Sequence, residues 1–423
     1  MKTYTPQLDA AVLQRLSDYA ALFAEDFPQA KPALWSGVYL QGLLLDGERK
    51  SIEPMARRVT LPAELQAKDP EQALQQFISQ SPWNDQKVLR RYRCHLAQTF
   101  ASPQGIFIID DTTFPKQGKH SVGVQRQYCG ALGKRANCQA AVSIHYVSPK
   151  GHYPLALRLY LPQSWTSDHD RLRAAQVPLR YWRFRTKGQI ALELLDQVRS
   201  EGLPGQVVIT DAGYGVSGPF RDALAARGLF YLAGITDETV VFAEPPVWQP
   251  PVPAAHGRPQ TLPHLDPQGP QPLTVAELAR RTPLRRRTWR EGTKGKLSGR
   301  FAWIRVWPAG GWERGACAGA HPLGLLIEEQ ADGTRKYALS TLPADTPAIR
   351  AVRLWKSRWP VEQGYQQMKE ELGLDHYEGR FWHGFHHHAC LVMLAYGFLA
   401  LEEQGLAEGE VERSKAVKKK IPA

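Results

Sequence analysis

The sequence predicts an α/β protein with a mixed sheet, preceded by a helical domain and interrupted by an inserted β subdomain. Apolar residues recur at helical intervals over residues 8–100, and strand-like runs then alternate with helical ones up to residue 233. Ten prolines follow in residues 245–272, a composition that favours neither a helix nor an inner strand. The order of these segments predicts a sheet with helices on it and a separate β unit inserted after its last strand.

The first 100 residues are predicted to form a helical domain. Leu8, Val12, Leu16 and Tyr19 recur at intervals of three or four residues, as on one face of a helix. The segment 85–99 adds several cations to such a face, so it is either a solvated charged helix or a helix that contacts DNA. We therefore predict residues 1–100 as an N-terminal DNA-binding domain.

The first part of the α/β core is predicted over residues 101–236. Residues 105–110 form a short apolar run closed by acids, as a buried central strand would be. Two β-rich runs around Ser148–His152 read as a hairpin, because proline and glycine lie between them. A helix over 187–200, a strand over 206–210 closed by Asp211, a helix over 218–227 and a strand over 229–233 complete this part.

The rest of the chain divides into three predicted segments. Residues 237–343, which contain the proline-rich stretch, are predicted to be an inserted β subdomain with glycine-rich turns. Residues 344–405 return to the core as helices, beginning at Thr346-Pro347 and interrupted by Pro360. The apolar run 389–400 is predicted to be a buried core helix, and the lysine-rich tail 406–423 to lack regular structure.

The composition indicates which class of binding partner and which cellular compartment to expect. The chain carries 53 Lys and Arg against 41 Asp and Glu, a formal charge of +12, with a pI near 9.4. Such a balance favours an anionic polymer over a small metabolite as the partner. Five scattered cysteines form neither a disulfide framework nor a zinc ribbon, which indicates a reducing compartment. The N-terminus lacks the pattern of a signal peptide, and we expect no membrane span.

Carboxylates at strand ends are the sharpest chemical feature. Asp110 and Asp111 close one predicted strand and Asp211 closes another, at the edge where open α/β sheets place their sites. Such acids either share a divalent ion or serve as ordinary turn and cap residues. Glu362 has Arg358 four residues before it and Lys369 seven after it, within about 40° of one face of a regular helix. That face suits metal-assisted phosphoryl chemistry, or it is a set of surface charge pairs.

Together these residues resemble a known family. Asp110-Asp-Thr-Thr113, the strand ending in Val-Ile-Thr-Asp211, and Trp355-x2-Arg358-x3-Glu362-x6-Lys369 are similar to motifs of the transposases of bacterial insertion sequences with a DDE triad. The branch marked by Tyr-x2-Arg-x3-Glu-x6-Lys is the most similar, over about residues 105–400. Trp355 departs from it, since that signature has tyrosine at this position.

The resemblance implies an RNase H-like core and a two-metal mechanism. Asp111, Asp211 and Glu362 would be the catalytic metal ligands, with Asp110 as the competitor for the first position. Two Mg²⁺ ions about 3.5–4 Å apart, with Mn²⁺ as a substitute, would support cutting at the element ends and joining of the 3′ ends to target DNA. The implied partner is double-stranded DNA, as terminal repeats and as target, bound by a homodimer. The implied location is the bacterial cytoplasm, at the nucleoid.

Further residues are expected to contact DNA. On the resemblance, Arg358 and Lys369 would contact phosphates near the cleaved bond. Tyr365, near the same predicted helix face, is also expected to contact DNA. Residues 280–305 contain ten Lys or Arg and only one acidic residue. We call this segment the basic patch and expect it to bind along a DNA backbone. Its leading members are Arg285, Arg286, Arg287, Lys294, Lys296 and Arg300. Trp289 and Trp303, which are interleaved with them, either stack on bases or form the core of the subdomain.

Two other hypotheses stay open beside the transposase. One is a non-catalytic DNA-binding protein descended from such an enzyme, and the other is a metal-dependent nuclease that cuts without strand transfer. The histidines between His383 and His388 could suggest zinc, but adjacent residues on a helix point in different directions. A surface position or packing between helices is the expected role of this run.

Overall fold

We analysed a computed structural model of the chain, which describes residues 9–251, 261–292 and 295–419. The chain divides into two compact units, treated separately below. The first unit comprises the chain up to Gly105, Asp110–Gly205 and the chain from Pro360 onwards. The second comprises Ile106–Ile109 and Gln206–Trp359. The five-segment division from the sequence remains a prediction.

The secondary structure alternates helices and strands after a helical start. The α-helices are α1 (Ala10–Ala21), α2 (Ala30–Leu44), α3 (Ile52–Ala56), α4 (Pro70–Ser79), α5 (Asp85–Phe100), α6 (Gln163–Thr166), α7 (His169–Ala174), α8 (Lys187–Ser200), α9 (Ala212–Gly215), α10 (Gly218–Ala226), α11 (Val275–Arg281), α12 (Ala348–Lys356), α13 (Trp359–Gln366) and α14 (Trp382–Lys419). The strands are β1 (Ile106–Pro115), β2 (Gln125–Cys129), β3 (Lys134–Ser148), β4 (Gly151–Leu159), β5 (Val207–Thr210), β6 (Phe230–Ile235), β7 (Val240–Phe242), β8 (Trp248–Gln249), β9 (His264–Leu265), β10 (Leu273–Thr274), β11 (Arg285–Gly292), β12 (Gly295–Pro308), β13 (Leu323–Glu329) and β14 (Arg335–Ser340).

The N-terminal helices of the first unit begin at residues suited to that position. The Asp69 side chain accepts a hydrogen bond from the Gln72 N–H, and the Asn84 side chain accepts from the second and third residues of α5. Both caps satisfy N–H groups that have no partner within the helix. The charged helix α5 is amphipathic, with Val88, Leu89 and Leu96 among its buried residues. The prediction of a helical N-terminal segment is confirmed.

A three-stranded antiparallel arrangement forms the sheet part of the first unit. Strand β3 pairs with β2 through residues 134–138 and with β4 through residues 141–148, and it also neighbours β1 in the sheet. The β3–β4 turn falls at Pro149-Lys150, as the hairpin prediction requires. Helices α8 and α14 both pack against this hairpin. Helix α8 begins at Lys187 because Thr186 and Gln189 form a reciprocal capping box.

Helix α14 supplies the buried centre of the first unit. Residues 389–395 are almost fully buried, which confirms a core helix where the apolar run predicts one. The helix is longer than that run: Trp382–Gly405 is by length and composition apolar enough to cross a membrane, but 83% of its most apolar 18-residue window is buried inside the protein. Its backbone is helical as far as Lys419, and Lys420 lies outside the described residues.

The second unit holds a mixed sheet. Its strand order is β10-β7-β12-β13-β14-β6-β5-β1, with β11 beside β12. Strands β1, β5 and β6 run parallel, whereas β14, β13, β12 and β7 continue antiparallel. The parallel strands are buried, and α9 and α10 connect β5 to β6, as in an α/β core. This mixture confirms the predicted α/β class with an RNase H-like mixed-sheet core and inserted strands.

The helical segment after residue 344 differs from its prediction in two ways. Helix α12 begins at Ala348 with Pro347 as its N-cap, one residue later than the predicted start. The chain then leaves the helix at Ser357 and Arg358, and α13 restarts at Trp359, since Pro360 is tolerated only in the first turn of a helix. The expectation of one continuous helical face for Arg358, Glu362 and Lys369 is therefore wrong.

The proline-rich stretch is extended where it is described. It carries only the short strands β8 and β9, which pair with each other, and residues 252–260 lie outside the described part of the chain. The short strands fit a composition that cannot hold a helix.

Candidate active site

The two adjacent aspartates of β1 point to opposite sides of their strand. The prediction that Asp110 and Asp111 close their strand is wrong, because β1 continues to Pro115. Both residues lie inside the strand, so their side chains alternate. The Asp111 carboxylate is ion-paired with the ammonium group of Lys187, at the first residue of α8. Asp111 therefore faces α8.

The side of β1 that bears Asp110 can be identified from Phe114, four residues further on. The Phe114 ring packs edge-on against Phe385 of α14, with ring centroids 5.4 Å apart. Lys369 lies over the same ring, with its Nζ 5.5 Å from the centroid. Because residues 110 and 114 share a face of the strand, Asp110 faces the α14 side, away from α8.

Lys369 is held at the edge of this face. Its Nζ donates a hydrogen bond to the carbonyl oxygen of Thr113 at 3.1 Å, and burial lowers the pKa of the Lys369 ammonium group. It belongs to a π-helical turn, Gln367–Glu371, that follows α13. π-Helical turns inside α-helices are frequent at functional sites.

Glu362 lies in the first turn of α13, in the same unit as Asp110 and Asp111, and its side chain is exposed. Three residues later, Tyr365 is buried and its hydroxyl hydrogen-bonds the hydroxyl of Ser143 on β3. Ser143 Oγ also donates to the carbonyl oxygen of Asp110, at 3.4 Å. Tyr365 thus connects the helix of Glu362 to the backbone of the first acid.

A chain of buried histidines extends this connection. His145 Nε2 lies 3.0 Å from Ser143 Oγ, and His145 Nδ1 lies 3.2 Å from His152 Nε2. His152 Nδ1 in turn hydrogen-bonds the hydroxyl of Tyr396 on α14, at 2.9 Å. Burial lowers the pKa of both histidines, that of His152 to about 3, so both rings are neutral. The network is uncharged and fixes α13 and α14 against β3 and β4.

Asp211 lies in the second unit at the N-cap of α9, directly after the buried strand β5. The backbone behind it is closely packed on β6. A Cβ atom on Gly215 would lie 2.0 Å from the carbonyl oxygen of Gly234, and one on Gly234 would lie 2.7 Å from the nitrogen of Ala212. Two glycines facing each other therefore allow the turn that follows Asp211.

The register of β1 and β5 shows that Asp110 and Asp211 each come directly after the last pair of the two strands. Ile106 is opposite Val207, and the pairing continues without a shift to Ile109 opposite Thr210. The next residue along β1 is Asp110, and the next after β5 is Asp211.

Trp355 replaces the tyrosine of the resembling signature without losing a hydrogen-bond donor. Its indole Nε1 donates to Glu328 Oε2 at 2.7 Å, and Lys356 forms an ion pair with the same buried carboxylate. Arg358 follows in the break between α12 and α13, with its guanidinium carbon 5.7 Å from the centre of the Trp355 ring. Trp355 therefore anchors the end of α12, directly before the break that contains Arg358.

The basic patch lies mainly on β11 and β12. Arg285, Lys296 and Arg300 are exposed, although Arg300 pairs with Glu329 at 2.6 Å. Arg286 is exposed and hydrogen-bonds Ser298, and Arg287 is half-buried. Lys294, also predicted for this patch, lies outside the described residues.

The two tryptophans of the patch are both partly packed. Trp289 contacts Phe301 edge-on at 5.7 Å, and Lys356 lies over its ring. Trp303 donates its indole N–H to the carbonyl oxygen of Thr346 at 3.1 Å. A packing role is thus visible for both, and base stacking stays a prediction.

The acids offer the oxygen donors that Mg²⁺ and Mn²⁺ prefer. Within the described residues, however, no three His, Cys, Asp or Glu side chains converge closely enough to hold a metal ion. The carboxylates of Asp110, Asp111, Asp211 and Glu362 fit such a cation by their chemistry.

The histidine run at the start of α14 forms no such centre. His386, His387 and His388 are buried and point to different partners: the backbone of Leu159, the carbonyl oxygens of Ile78 and Trp83, and the hydroxyl of Tyr39. The prediction of packing between helices is confirmed. All five cysteines are free thiols, which agrees with the absence of a disulfide framework from the sequence pattern.

Sequence reasoning missed three contributors. Lys187 was seen only as the start of a helix, and Ser143 and His145 only as members of a strand. The alternation of polar residues at 143 and 145 in an otherwise apolar run is the one signal that could have indicated them.

Comparison with known proteins identifies the family of the chain. Residues 22–296 match the family described as DDE superfamily endonuclease, a match that includes Asp110, Asp111 and Asp211 and ends before Glu362. The chain is also 31% identical over 233 residues to the probable transposase for insertion sequence element IS701 of Microchaete diplosiphon, which is 54% of this chain and 56% of that protein. This chain thus spans little more than half the length of that relative. Enzymes of this superfamily generally use divalent metal ions. With an RNase H-like mixed sheet and a family match over more than half of its length, the chain belongs to the DDE superfamily of endonucleases.

Proposed function

We propose that this protein is a DNA transposase of an insertion sequence, which cuts the ends of its element and joins the 3′ ends to target DNA. The observation that carries the proposal is that β1 and β5, paired in parallel, are each followed by an aspartate after their last registered pair. The sequence similarity to a probable transposase supports it. Double-stranded DNA as terminal repeats and target, a homodimer that pairs two ends, and a cytoplasmic location at the nucleoid belong to the same proposal.

The proposed triad is Asp110 or Asp111 with Asp211 and Glu362. The sequence motif favours Asp111, whereas two structural observations favour Asp110. Asp111 is engaged by Lys187 on the α8 side, and Asp110 shares its face of β1 with Phe114, beside Lys369. We therefore propose Asp110 as the first ligand and keep Asp111 as the tested alternative.

The chain's own residues bind and orient the DNA in this mechanism. Arg358, anchored through Trp355 and Glu328, would hold a phosphate near the cleaved bond, and Lys369 would do so from the π-helical turn. Tyr365 positions α13 through Ser143. Two divalent ions, held by the three acids, would supply the charge that activates a water or a DNA 3′-hydroxyl and stabilises the leaving oxygen.

The experiment incubates the purified full chain, Mg²⁺ and the DNA that flanks its gene, and reads both nicked ends and joined products. We expect both products from the unaltered protein, and neither from Asp211→Asn or Glu362→Gln while DNA binding persists. Of the matched pair, Asp110→Asn should abolish cleavage and Asp111→Asn should retain part of it. The reverse result would restore Asp111 as the ligand.

Two other outcomes would replace the proposal. Nicked ends without joined products, with target DNA in excess, would identify a metal-dependent nuclease without strand transfer. Specific binding with neither product, in Mg²⁺ and in Mn²⁺, would identify a non-catalytic DNA-binding protein.

A further inference from the structure

The first unit contains a cavity of about 480 Å³ apart from the acids described above. Its walls come from the start of α5, the end of β4, the connection that leads into α8, α8 itself and the first residue of α14. Ligand pockets for small organic groups have about this size, roughly 300–1,000 Å³. The cavity is large enough for one nucleotide.

The charge of the lining is strongly positive. Arg158, Arg180, Arg183 and Arg185 line the cavity together with a single carboxylate, that of Glu193, which leaves a formal excess of three positive charges. Glu193 bonds two of these guanidinium groups: Arg158 at 2.7 Å and Arg185 at 2.9 Å. Burial opposes ionisation of this carboxyl group, but the bonds from the two arginines lower its pKa. Arg158 and Arg185 are thereby fixed in place.

The other two arginines are available to a ligand. Arg180 and Arg183 are exposed, and within the described residues neither forms an ion pair with a carboxylate. A guanidinium group suits the bidentate binding of a phosphate. An anion entering this cavity would meet Arg180 and Arg183 before the fixed pair.

The rest of the lining is aromatic and amide in character. The rings of Tyr181 and Trp382 lie 4.8 Å apart between centroids, and Arg180 lies over the Tyr181 ring at 4.9 Å. Asn84, Gln86 and Gln197 add amide groups, and Gln197 donates to Gln86 at 2.9 Å. Amides offer both donors and acceptors, as the edge of a nucleobase requires, whereas an acidic peptide would need donors alone.

We propose that this cavity binds a single unpaired nucleotide of a DNA strand, with its phosphate on Arg180 and Arg183 and its base against Tyr181 and the amide groups. This inference rests on the proposed function for the presence of DNA. It adds a DNA site whose lining residues are neither the proposed metal ligands nor members of the basic patch. Unpairing of DNA next to a cleaved end would present such a nucleotide.

The test measures binding without metal, so that it does not depend on cleavage. Two DNA duplexes are compared that share one strand with a single 2-aminopurine. In one duplex the opposite strand pairs with this base, and in the other it leaves the base unpaired. The fluorescence of 2-aminopurine reports burial of the base. The variants are Arg180→Ala with Arg183→Ala, Gln197→Leu, and the control Arg173→Ala. Arg173 lies in the same connection, is exposed and pairs with Asp170, and does not line the cavity.

The unaltered protein and Arg173→Ala are expected to bind the unpaired duplex about tenfold more tightly than the paired one, since phosphate and base contacts add. The double arginine variant should lose most of that preference, and Gln197→Leu should reduce it while leaving the fully paired duplex unaffected. Equal binding of the two duplexes by the unaltered protein would overturn the inference, as would a double variant that weakens both duplexes equally. The proposed function fails separately, if Mg²⁺ yields no cleavage.

Discussion

The hydroxyl groups of Tyr365 and Ser143 form a buried hydrogen bond that joins α13 to β3. Ser143 also reaches the carbonyl oxygen of Asp110, so one side chain contacts both the helix of Glu362 and the strand of the first aspartate. Two hydroxyl groups, rather than the acids themselves, therefore connect α13 to β3 and to the strand of Asp110.

Tyr365→Phe is expected to lower the free energy of unfolding by about 1 kcal/mol, because it removes one buried hydrogen bond and leaves the ring in place. It should also reduce the rate of DNA cleavage more than the affinity for DNA. Urea denaturation and single-turnover cleavage measure the two effects. The control is Tyr128→Phe, whose ring is 64% exposed and whose loss of a hydroxyl should change neither. An unchanged cleavage rate in Tyr365→Phe would contradict a positioning role.

Acid is expected to destabilise the protein through the His145–His152 pair. Burial lowers the pKa of His152 to about 3, whereas an unfolded histidine titrates near about 6.5. Below the unfolded value the unfolded chain binds a proton that the native ring does not, so the free energy of unfolding falls as the pH decreases from about 6.5 towards 3. Denaturant titrations at several pH values should show a shallower slope for His152→Gln than for the unaltered protein. His120→Gln, at an exposed position, should leave the slope unchanged.

Trp355→Phe is expected to cost about 1–3 kcal/mol of stability, since it leaves Oε2 of the buried Glu328 without its indole donor. Trp355→Tyr restores a donor on an aromatic ring and should retain more of that stability. The control Trp359→Phe removes an indole N–H from a ring that is 52% exposed. Chemical denaturation of the three variants provides the comparison, and equal losses in Trp355→Phe and Trp355→Tyr would exclude the hydrogen bond as the cause.

The Asp111–Lys187 ion pair is expected to be a modest structural contact. Both side chains are partly exposed, at 23% and 36%, so a double-mutant cycle of Asp111→Asn and Lys187→Met should give a coupling energy of about 0.5–1 kcal/mol. The cycle is measured by denaturation in low salt, and adding salt to about 0.5 M should reduce the coupling. If Asp111 were instead a metal ligand, adding Mg²⁺ should stabilise the unaltered protein and Lys187→Met, but not Asp111→Asn.

The basic patch is expected to contribute to DNA binding independently of sequence. Arg285→Glu with Arg287→Glu should weaken binding to every duplex and flatten the dependence of the logarithm of the affinity on the logarithm of the salt concentration, because fewer counterions are released. Lys150→Glu, in the exposed turn between β3 and β4, is the control for a change of net charge. A slope that equals that of the control would remove the patch from the interface.

Local signals allowed much of the fold to be predicted. The bounds of helix α8 agree with the prediction, because the apolar spacing that predicts this helix lies within the segment itself. The break between α12 and α13 was underestimated for the opposite reason: Pro360 indicates an interruption, but whether the helix bends or restarts depends on packing beyond the segment. The contacts of α14 with distant segments of the chain could not be predicted from the sequence either.

The candidate site was predictable only in part. Asp110, Asp111 and Asp211 could be chosen as candidates from the sequence because an apolar strand-like run followed by aspartate is a local pattern. The choice between Asp110 and Asp111 is different, since it depends on which helix covers each face of β1. That information lies in Lys187, 76 residues away from Asp111, and in Phe385 of α14. No spacing within the motif encodes it.

The contact between Gly215 and Gly234 has a consequence for how the second acid can evolve. Neither glycine has a side chain and no chemistry is visible in them, yet a single added methyl group at either one would meet backbone that cannot yield. The close packing of the turn after Asp211 on β6 therefore depends on the absence of a Cβ atom at both positions. Glycine to alanine, ordinarily a mild substitution in a helix, is expected to be poorly tolerated at Gly215 and at Gly234.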